Sequence, residues 1–521
     1  MESASNPYGV DISQAMIVER VALADWLLVF PVALPLLAAA ILVMLRSRPK
    51  LHAPIALAVI GVVLVSNVVL LSRVLDEGPF AMTMGRWLPP FGITFVADTL
   101  GVLLATTAAL VALVCALFGS TSIDVTGKRY GFYPFLLLLM TGVGGSFLTG
   151  DIFNLYVWFE VFLISSFGLL ILGSERAQLD GAFKYAILNL VATTLFLIAT
   201  GLLYGVFGTL NMADIALKAD GLREEAPLTM LATLYLVAFG MKAAAFPLHF
   251  WLPASYHTPR LVVGALFGAL LTKVGIYALL RTLFLLFPEE GGALSGVIAI
   301  VAILTMIFGV IGALAQTDIR RIMGYIVISG IGIMMAGLAL GDRMGLAGTV
   351  LYAVHSMLVM AALYLLVALM RKAGGTYSLS ELGGLYRSHP LLAAMALLLV
   401  LSAAGLPPGS GLWPKVMLVK SALDGEGGWL AFAILLSGLM TTLALGRVFA
   451  LAFWRPRVDG AVVPATPLDR SGMFALVLIM VPILWIGLYP EPVLAMADAA
   501  AASLLDPASY SLLVLPAGGG S

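Results

Sequence analysis

Leu155-Tyr-Val-Trp-Phe-Glu160-Val-Phe-Leu-Ile164 sets one carboxyl group in the middle of aromatic and aliphatic side chains. The run belongs to an apolar stretch over about 153–173, and about 20 such residues suffice to cross the hydrocarbon core of a bilayer. Similar stretches recur almost end to end. Of the 521 residues, 61% are hydrophobic and only 11% are charged, whereas a soluble domain carries about a quarter charged residues. A soluble protein of this length has too little interior to hide so much apolar surface. The remaining solvent is lipid, and the fold class expected is an all-α polytopic membrane protein.

The length rule gives about 14 spanning helices, near 25–45, 53–73, 95–119, 131–150, 153–173, 183–208, 228–247, 261–286, 294–315, 321–340, 345–370, 390–421, 429–453 and 472–490. The apolar segment 491–513 is broken by Pro492 and Pro507 and reads as a surface segment against a partner or a frayed tail. Formal net charge is zero, which argues against a nucleic-acid partner. Cys115 stands alone, so no internal disulfide and no iron–sulfur cluster is expected. The first 24 residues carry acids but no basic n-region, so no cleavable signal peptide is expected. Phosphate loops, dinucleotide fingerprints and zinc motifs are missing from the sequence, which calls for no cofactor and no metal site. The glycines of Thr141-Gly-Val-Gly-Gly-Ser146 fall within an apolar run, where small residues let helices approach closely.

Lysine and arginine divide unevenly between alternate loops, 15 against 6. The richer set includes Arg46, Lys128, Arg260, Arg320, Arg321, Arg371 and Arg455 and should face the cytoplasm. Both termini then lie outside, which suits an even number of helices.

Two helices look interrupted. The seventh breaks at Phe246-Pro247, and the twelfth at Gly405-Leu-Pro-Pro-Gly-Ser-Gly411. Each break has a lysine close by: Lys242 precedes Pro247, and Lys415 follows Pro408. Paired interrupted helices in the two halves point to an internal repeat with a site at each break, because backbone freed by proline at membrane depth must line protein or water. Ordinary proline kinks are the plainer explanation.

Ionisable side chains within apolar spans are costly, so each is a functional candidate. Glu160 has only Asn154, Tyr156 and Ser165 as polar company nearby in sequence. Desolvation favours the neutral amine of Lys242, and a nearby carboxylate favours its ammonium form. A Glu160–Lys242 pair whose separation changes would therefore capture and release a proton. A static ion pair joining two helices is the alternative, and such a pair is weak evidence of stabilisation. Lys273 lies in mid-span and is a second relay candidate. His355, also in mid-span, would exchange protons near neutral pH, or it is a core histidine bonded to a carbonyl. Lys415 is the better relay candidate of its helix; Lys420 reads as snorkelling to the interface. His249 and His257 flank Trp251-Leu-Pro253, as part of a cytoplasmic proton intake or as interfacial loop residues. Bis-histidine haem binding needs facing histidines at matched depth, and only His355 is clearly deep. Lys184, Arg281 and Arg447 stand near helix ends and read as snorkelling, and Asp98 and Asp151 as helix caps.

Several of these segments resemble one family in order and spacing. Phe147-Leu-Thr-Gly-Asp-Ile-Phe-Asn-Leu155 with Phe159-Glu160-Val161 looks like the fifth helix of the D-type subunits in Mrp-type multisubunit sodium/proton antiporters. So do Gly208-Thr-Leu-Asn-Met-Ala-Asp-Ile215, Phe250-Trp-Leu-Pro253, Ala265-Leu-Phe-Gly-Ala-Leu-Leu-Thr-Lys-Val-Gly-Ile-Tyr277, Gly309-Val-Ile-Gly-Ala313 with Asp318-Ile319, and Gly405-Leu-Pro-Pro408 with Lys415. Broader kin are antiporter-like subunits of respiratory complex I and membrane-bound hydrogenases, which the histidines around Trp-Leu-Pro resemble more. The likeness covers about residues 25 to 455. It implies two inverted five-helix repeats, helices 4–8 over 131–287 and helices 9–13 over 294–453. Outside them stand an extension at 1–24, helices 1–3 over 25–120, and helix 14 with a tail over 472–521. It also implies that Glu160 and Lys242 drive proton movement, and that Lys273, His355 and Lys415 continue a polar path along the membrane midplane. The partners implied are the other subunits of a hetero-oligomeric complex in a bacterial inner membrane, together with protons, sodium and lipid. Family members often carry a lysine five residues after the eleventh-helix histidine; here that position is Met360, whose thioether carries no proton.

Two other functions fit parts of the pattern. A redox-coupled pump subunit of a complex I-like or hydrogenase assembly shares the motifs. A structural scaffold would use the same charges only to lock helices together.

Overall fold

The computed structural model describes residues 16–17, 21–425, 427–457 and 467–515. Most of the extension expected at 1–24, the end of the expected tail, and the outer-loop charges Arg20 and Glu426 lie outside these residues, as does the side chain of Arg86. Among the described residues, ten helices are long and apolar enough to cross a membrane, and four shorter apolar helices accompany them. In chain order the main helices are α1 Phe30–Met44, α2 His52–Glu77, α3 Thr99–Ser122, α4 Phe132–Leu148, α5 Ile152–Leu170, α6 Arg176–Phe207, α7 Leu228–Ala243 and α8 Leu261–Leu286. They continue with α9 Ser295–Ala315, α10 Ile319–Leu340, α11 Arg343–Gly374, α12 Pro390–Ala404, α13 Leu412–Asp424, α14 Gly428–Trp454 and α15 Arg470–Leu488. Two further helices, α16 Glu491–Leu504 and α17 Pro507–Val514, follow.

Every expected span overlaps one of these helices, the twelfth being divided between α12 and α13, and the boundaries shift for local reasons. The third span starts at Thr99 rather than near 95. Residues Thr94–Ala97 instead form strand β2, paired antiparallel with β1, Phe80–Thr83. Asp98 then caps α3, its Oδ1 accepting the Gly101 N–H at 2.8 Å, as expected of a carboxylate at that position. The sixth span starts at Arg176 rather than 183, because Glu175 and Gln178 form a reciprocal capping box. At 32 residues α6 is about 48 Å long, well beyond a hydrocarbon core of about 30 Å.

Burial separates a central set of helices from a peripheral one. The most apolar window of α8 is wholly buried, and those of α10 and α11 are each 94% buried; α2 is 33% and α6 39% buried. The peripheral helices expose large apolar side chains such as Leu190, Val191, Phe432, Leu435 and Leu439. Lipid rather than water accounts for such faces in a chain this apolar. Glycine allows the closest packing: a Cβ on Gly309 would lie 2.5 Å from the Ser329 nitrogen, and one on Gly332 2.5 Å from the Met306 nitrogen. Thus α9 and α10 meet almost backbone to backbone.

The segment 491–513 is not frayed. It forms α16 and α17, which fold back on this same chain, α16 against α11 and α3, and α17 against the short helix Met212–Leu222 and β1. Pro492 and Pro507 stand in the first turns of their helices, where proline lacks no needed N–H. They start helices here rather than break one. Ser511 donates to the Ala213 carbonyl at 3.0 Å.

Candidate functional site

Both interrupted helices end in a residue of left-handed conformation. At α7 this is Ala244, with φ 64°, and at α12 it is Gly405, with φ 85°. Such an ending frees the last carbonyls of the helix for other donors. At α7 the Trp251 indole donates to the Met241 carbonyl at 3.2 Å, and the Phe246 N–H donates to Thr305 Oγ1 at 2.9 Å. At α12 the donor is Lys415: its Nζ donates to the carbonyls of Ala404 at 2.6 Å and Ala403 at 3.4 Å. A cation at a helix C-terminus is also favoured by the helix dipole. The Lys415 side chain lies over Gly405, where a Cβ would fall 2.5 Å from its Cδ. Glycine is needed there twice, for its φ and for this contact.

Lys242 stands in the last turn of α7 and is 4% exposed, yet its Nζ has no hydrogen-bond partner among the described residues. It stands 5.8 Å from the centroid of the Phe159 ring, in an aromatic setting that includes Phe196 and Phe239. The next residue on α5 is Glu160, which is half-buried and whose Oε1 is buried without a partner. Neither group finds the other as a hydrogen-bond partner, and no ion pair closes between them among the described residues. Asp151 caps α5, its Oδ1 accepting the Asn154 N–H at 2.7 Å.

Lys273 lies at the middle of α8, 1% exposed, and donates to the Gly268 carbonyl at 2.6 Å. That carbonyl belongs to a π-helical turn, Phe267–Leu271, a feature frequent at functional sites. His355, on α11 and 2% exposed, shares a hydrogen bond of 2.8 Å between its Nδ1 and the Ser410 hydroxyl. Its ring also lies against Gly411, where a Cβ would fall 2.8 Å from its Cε1, in the same break that Lys415 follows. Met360 is buried one turn beyond His355. One turn further, the buried Tyr364 hydroxyl lacks a partner among the described residues, as do the hydroxyls of Tyr256 and Thr272.

His249 and His257 separate. His249 stacks on Phe246 at 5.8 Å. His257 lines a polar cleft of about 320 Å³ with Asp180, Lys184, Arg321 and Tyr325. Its Nδ1 is 2.9 Å from the Pro253 carbonyl, and Arg321 Nη2 approaches its Nε2 at 3.4 Å. The neutral ring with its proton on Nδ1 satisfies both contacts. Burial, and then the Arg321 charge, hold its pKa below the ordinary histidine value.

Lys184, paired with Asp180 at 2.5 Å and half exposed, and Lys420, exposed, stay at the surface. Arg281 does not snorkel. It is 2% exposed, and its Nη2 meets Asp98 Oδ2 at 2.5 Å. Asp98 thus caps α3 with one oxygen and pairs across the bundle with the other. Spacing alone placed Arg281 eight residues after Lys273 on the same helical face, and carried no sign of Asp98. Arg447 does not reach outward either, and donates to the Leu314 carbonyl at 2.5 Å. Ser410, the partner of His355, was hidden in a break read only for its prolines and glycines.

A many-helix bundle with basic side chains buried at the breaks and midpoints of its helices defines a polytopic transport protein. Residues 149–441 match the family described as NADH:quinone oxidoreductase/Mrp antiporter, TM. The chain belongs to that family. It is 38% identical over 500 residues to the D-type subunit of the Na(+)/H(+) antiporter of Alkalihalophilus pseudofirmus, covering 94% of this chain and 99% of that one. Among solved structures it resembles a chain of the Mrp complex from Dietzia sp., with TM-score 0.88 and 30% identity, covering 95% of this chain and 100% of that one. A chain of the membrane-bound sulfane sulfur reductase, an archaeal respiratory membrane complex, matches with TM-score 0.87 and 25% identity over 94% of this chain and 99% of that one.

Proposed function

We propose that this chain is the proton-translocating subunit of a multisubunit monovalent cation/proton antiporter, with sodium as the cation, and that it works in a bacterial inner membrane with both termini outside. It acts as a secondary transporter subunit among other subunits. The observation that carries the reading is Lys242, a buried amine without a hydrogen bond, set against Phe159, the neighbour in sequence of the equally unpartnered carboxyl of Glu160. Movement of Glu160 toward Lys242 favours the ammonium form and takes up a proton; movement away favours the amine and releases it. Lys273, His355 and Lys415 then pass protons on, each held by a carbonyl or hydroxyl that orients it without fixing its charge. His257 in its polar cleft, with His249 beyond, forms the intake. The two arms of this path fall in two five-helix units, 131–287 and 294–453, read as inverted repeats.

The test is sodium-dependent dissipation of a pH gradient in everted vesicles holding the assembled complex. Lys242→Ala and Glu160→Ala should each abolish it at normal assembly. Full exchange in both variants sinks the proposal, and a double charge swap that preserves everything would favour the scaffold. The likeness to a chain of a respiratory complex supports a second reading, a redox-coupled pump subunit. Co-purification with hydrophilic iron–sulfur subunits would favour it.

A further inference from the structure

Lys273, Tyr277 and Arg281 succeed one another at four-residue intervals on α8, all buried. They rise about 12 Å from mid-helix toward the end that carries the β-hairpin and the C-terminal helices. The Tyr277 hydroxyl donates to the Phe147 carbonyl at 2.9 Å and accepts from Arg281 Nε at 3.0 Å. Arg281 closes on Asp98 with both side chains almost wholly buried, 3% and 2% exposed. Above it lies Tyr510 of α17, its ring centroid 5.6 Å from the guanidinium carbon. The Tyr510 hydroxyl is buried, has no partner among the described residues, and approaches Gly150, where a Cβ would meet it at 3.1 Å. A second π-helical turn, Arg281–Leu286, begins at the arginine.

Such a ladder of polar groups leads from Lys273 toward one end of α8, and it ends in a group that does not release protons. A guanidinium has five donors, no acceptor and no accessible neutral form. The one hydrogen of the Tyr277 hydroxyl is committed to a carbonyl, and its oxygen to Arg281. We infer that the Asp98–Arg281 pair, roofed by Tyr510, is a proton seal that closes this route and leaves only the lateral path toward His355 and Lys415. The inference rests on the reading of Lys273 as a proton carrier. Under it, Arg281 is a positioning residue for coupling rather than a carrier.

The test measures decay of an imposed pH gradient, without any transported cation, in proteoliposomes holding the whole complex. Asp98→Asn with Arg281→Gln removes both charges together and leaves no buried ion unpaired. The expected result is decay several-fold faster than in the unaltered complex, with assembly retained. Arg281→Lys with Asp98 intact keeps the charge pair but supplies a group that can release its proton, and should also leak above the unaltered rate. Ending the chain after Asp506 removes Tyr510 with the rest of α17 and leaves every spanning helix in place, and should also leak if the double variant does not assemble. Tight vesicles from both the double and the truncated variants overturn the seal, whatever their stability. Adding Lys273→Ala to the leaking variant separates the two readings. Loss of the leak places the route through Lys273, and a leak that persists overturns the ladder as its route. Lys273→Ala alone reports on the relay through antiport.

Discussion

The lysines are distinguished by what they can give up. Lys242→Arg keeps a cation beside Glu160 but replaces a group that titrates with one that does not. Antiport should fall to the background of Lys242→Ala while the complex assembles normally, as measured by cation-induced gradient collapse. Antiport above a tenth of the unaltered rate, about 1.4 kcal/mol, would mean that Lys242 supplies only charge. At His257 the sign follows from its depressed value. The folded state favours the neutral ring, so stability is present above about pH 6.5, the unfolded value, and is lost as the pH falls through the lower folded value. The thermal midpoint of the complex should drop between pH 7.5 and 5.5 by less in His257→Gln than in the unaltered protein. An equal drop would show that the cleft does not feel this ring. The burial of Lys242, Lys273, His355 and Lys415 was legible in sequence, because a charge in an apolar run is conspicuous by its cost. Partnerships were not: sequence spacing predicted neither the Ser410 contact of His355 nor the Asp98–Arg281 pair, whose members stand 183 residues apart.

At the scale of elements, the breaks do the positioning. The α7 break is held by the Trp251 indole on Met241, and the α12 break by Lys415 itself on Ala403 and Ala404. Trp251→Phe keeps the aromatic packing and removes one hydrogen bond worth about 0.5–1.5 kcal/mol. The complex should unfold a few degrees lower, and antiport should fall with it because Lys242 loses its mount. Unchanged antiport would show that the break holds without the indole. Both breaks were readable from proline and glycine, which punctuate helices for steric reasons. The hairpin at Phe80–Ala97 was not. Its second strand, Thr94–Ala97, runs straight into the apolar α3, and hydropathy alone cannot tell four strand residues from a first helical turn. The π-helical turns of α8 were equally invisible, since they change backbone registry without changing composition.

For the whole molecule, the loop bias toward lysine and arginine fixes a testable sidedness. Ala508 is exposed on α17, and Ser380 is exposed between α11 and α12. With Cys115 buried, a single introduced cysteine reports cleanly. A membrane-impermeant maleimide should label Ala508→Cys in intact cells and Ser380→Cys only in everted vesicles. The opposite pattern would invert the orientation. The many-helix architecture was plain from composition, while the fold-back of α16 and α17 was not. That fold-back depends on which surface the alanines Ala497, Ala500 and Ala501 find, and all three are buried.

The placement of Lys273 at the midpoint of α8, with Lys242 and Lys415 at helix breaks, has an electrical meaning. Charge stepping between sites at one depth moves along an equipotential, so those steps exchange no energy with the membrane voltage. Under the proposed relay, the whole potential, about 2.3 kcal/mol per charge for each 100 mV, falls instead across the access routes that would link the row to the aqueous phases. Voltage sensitivity should therefore reside in the gates of the protein, leaving its wire electrically silent.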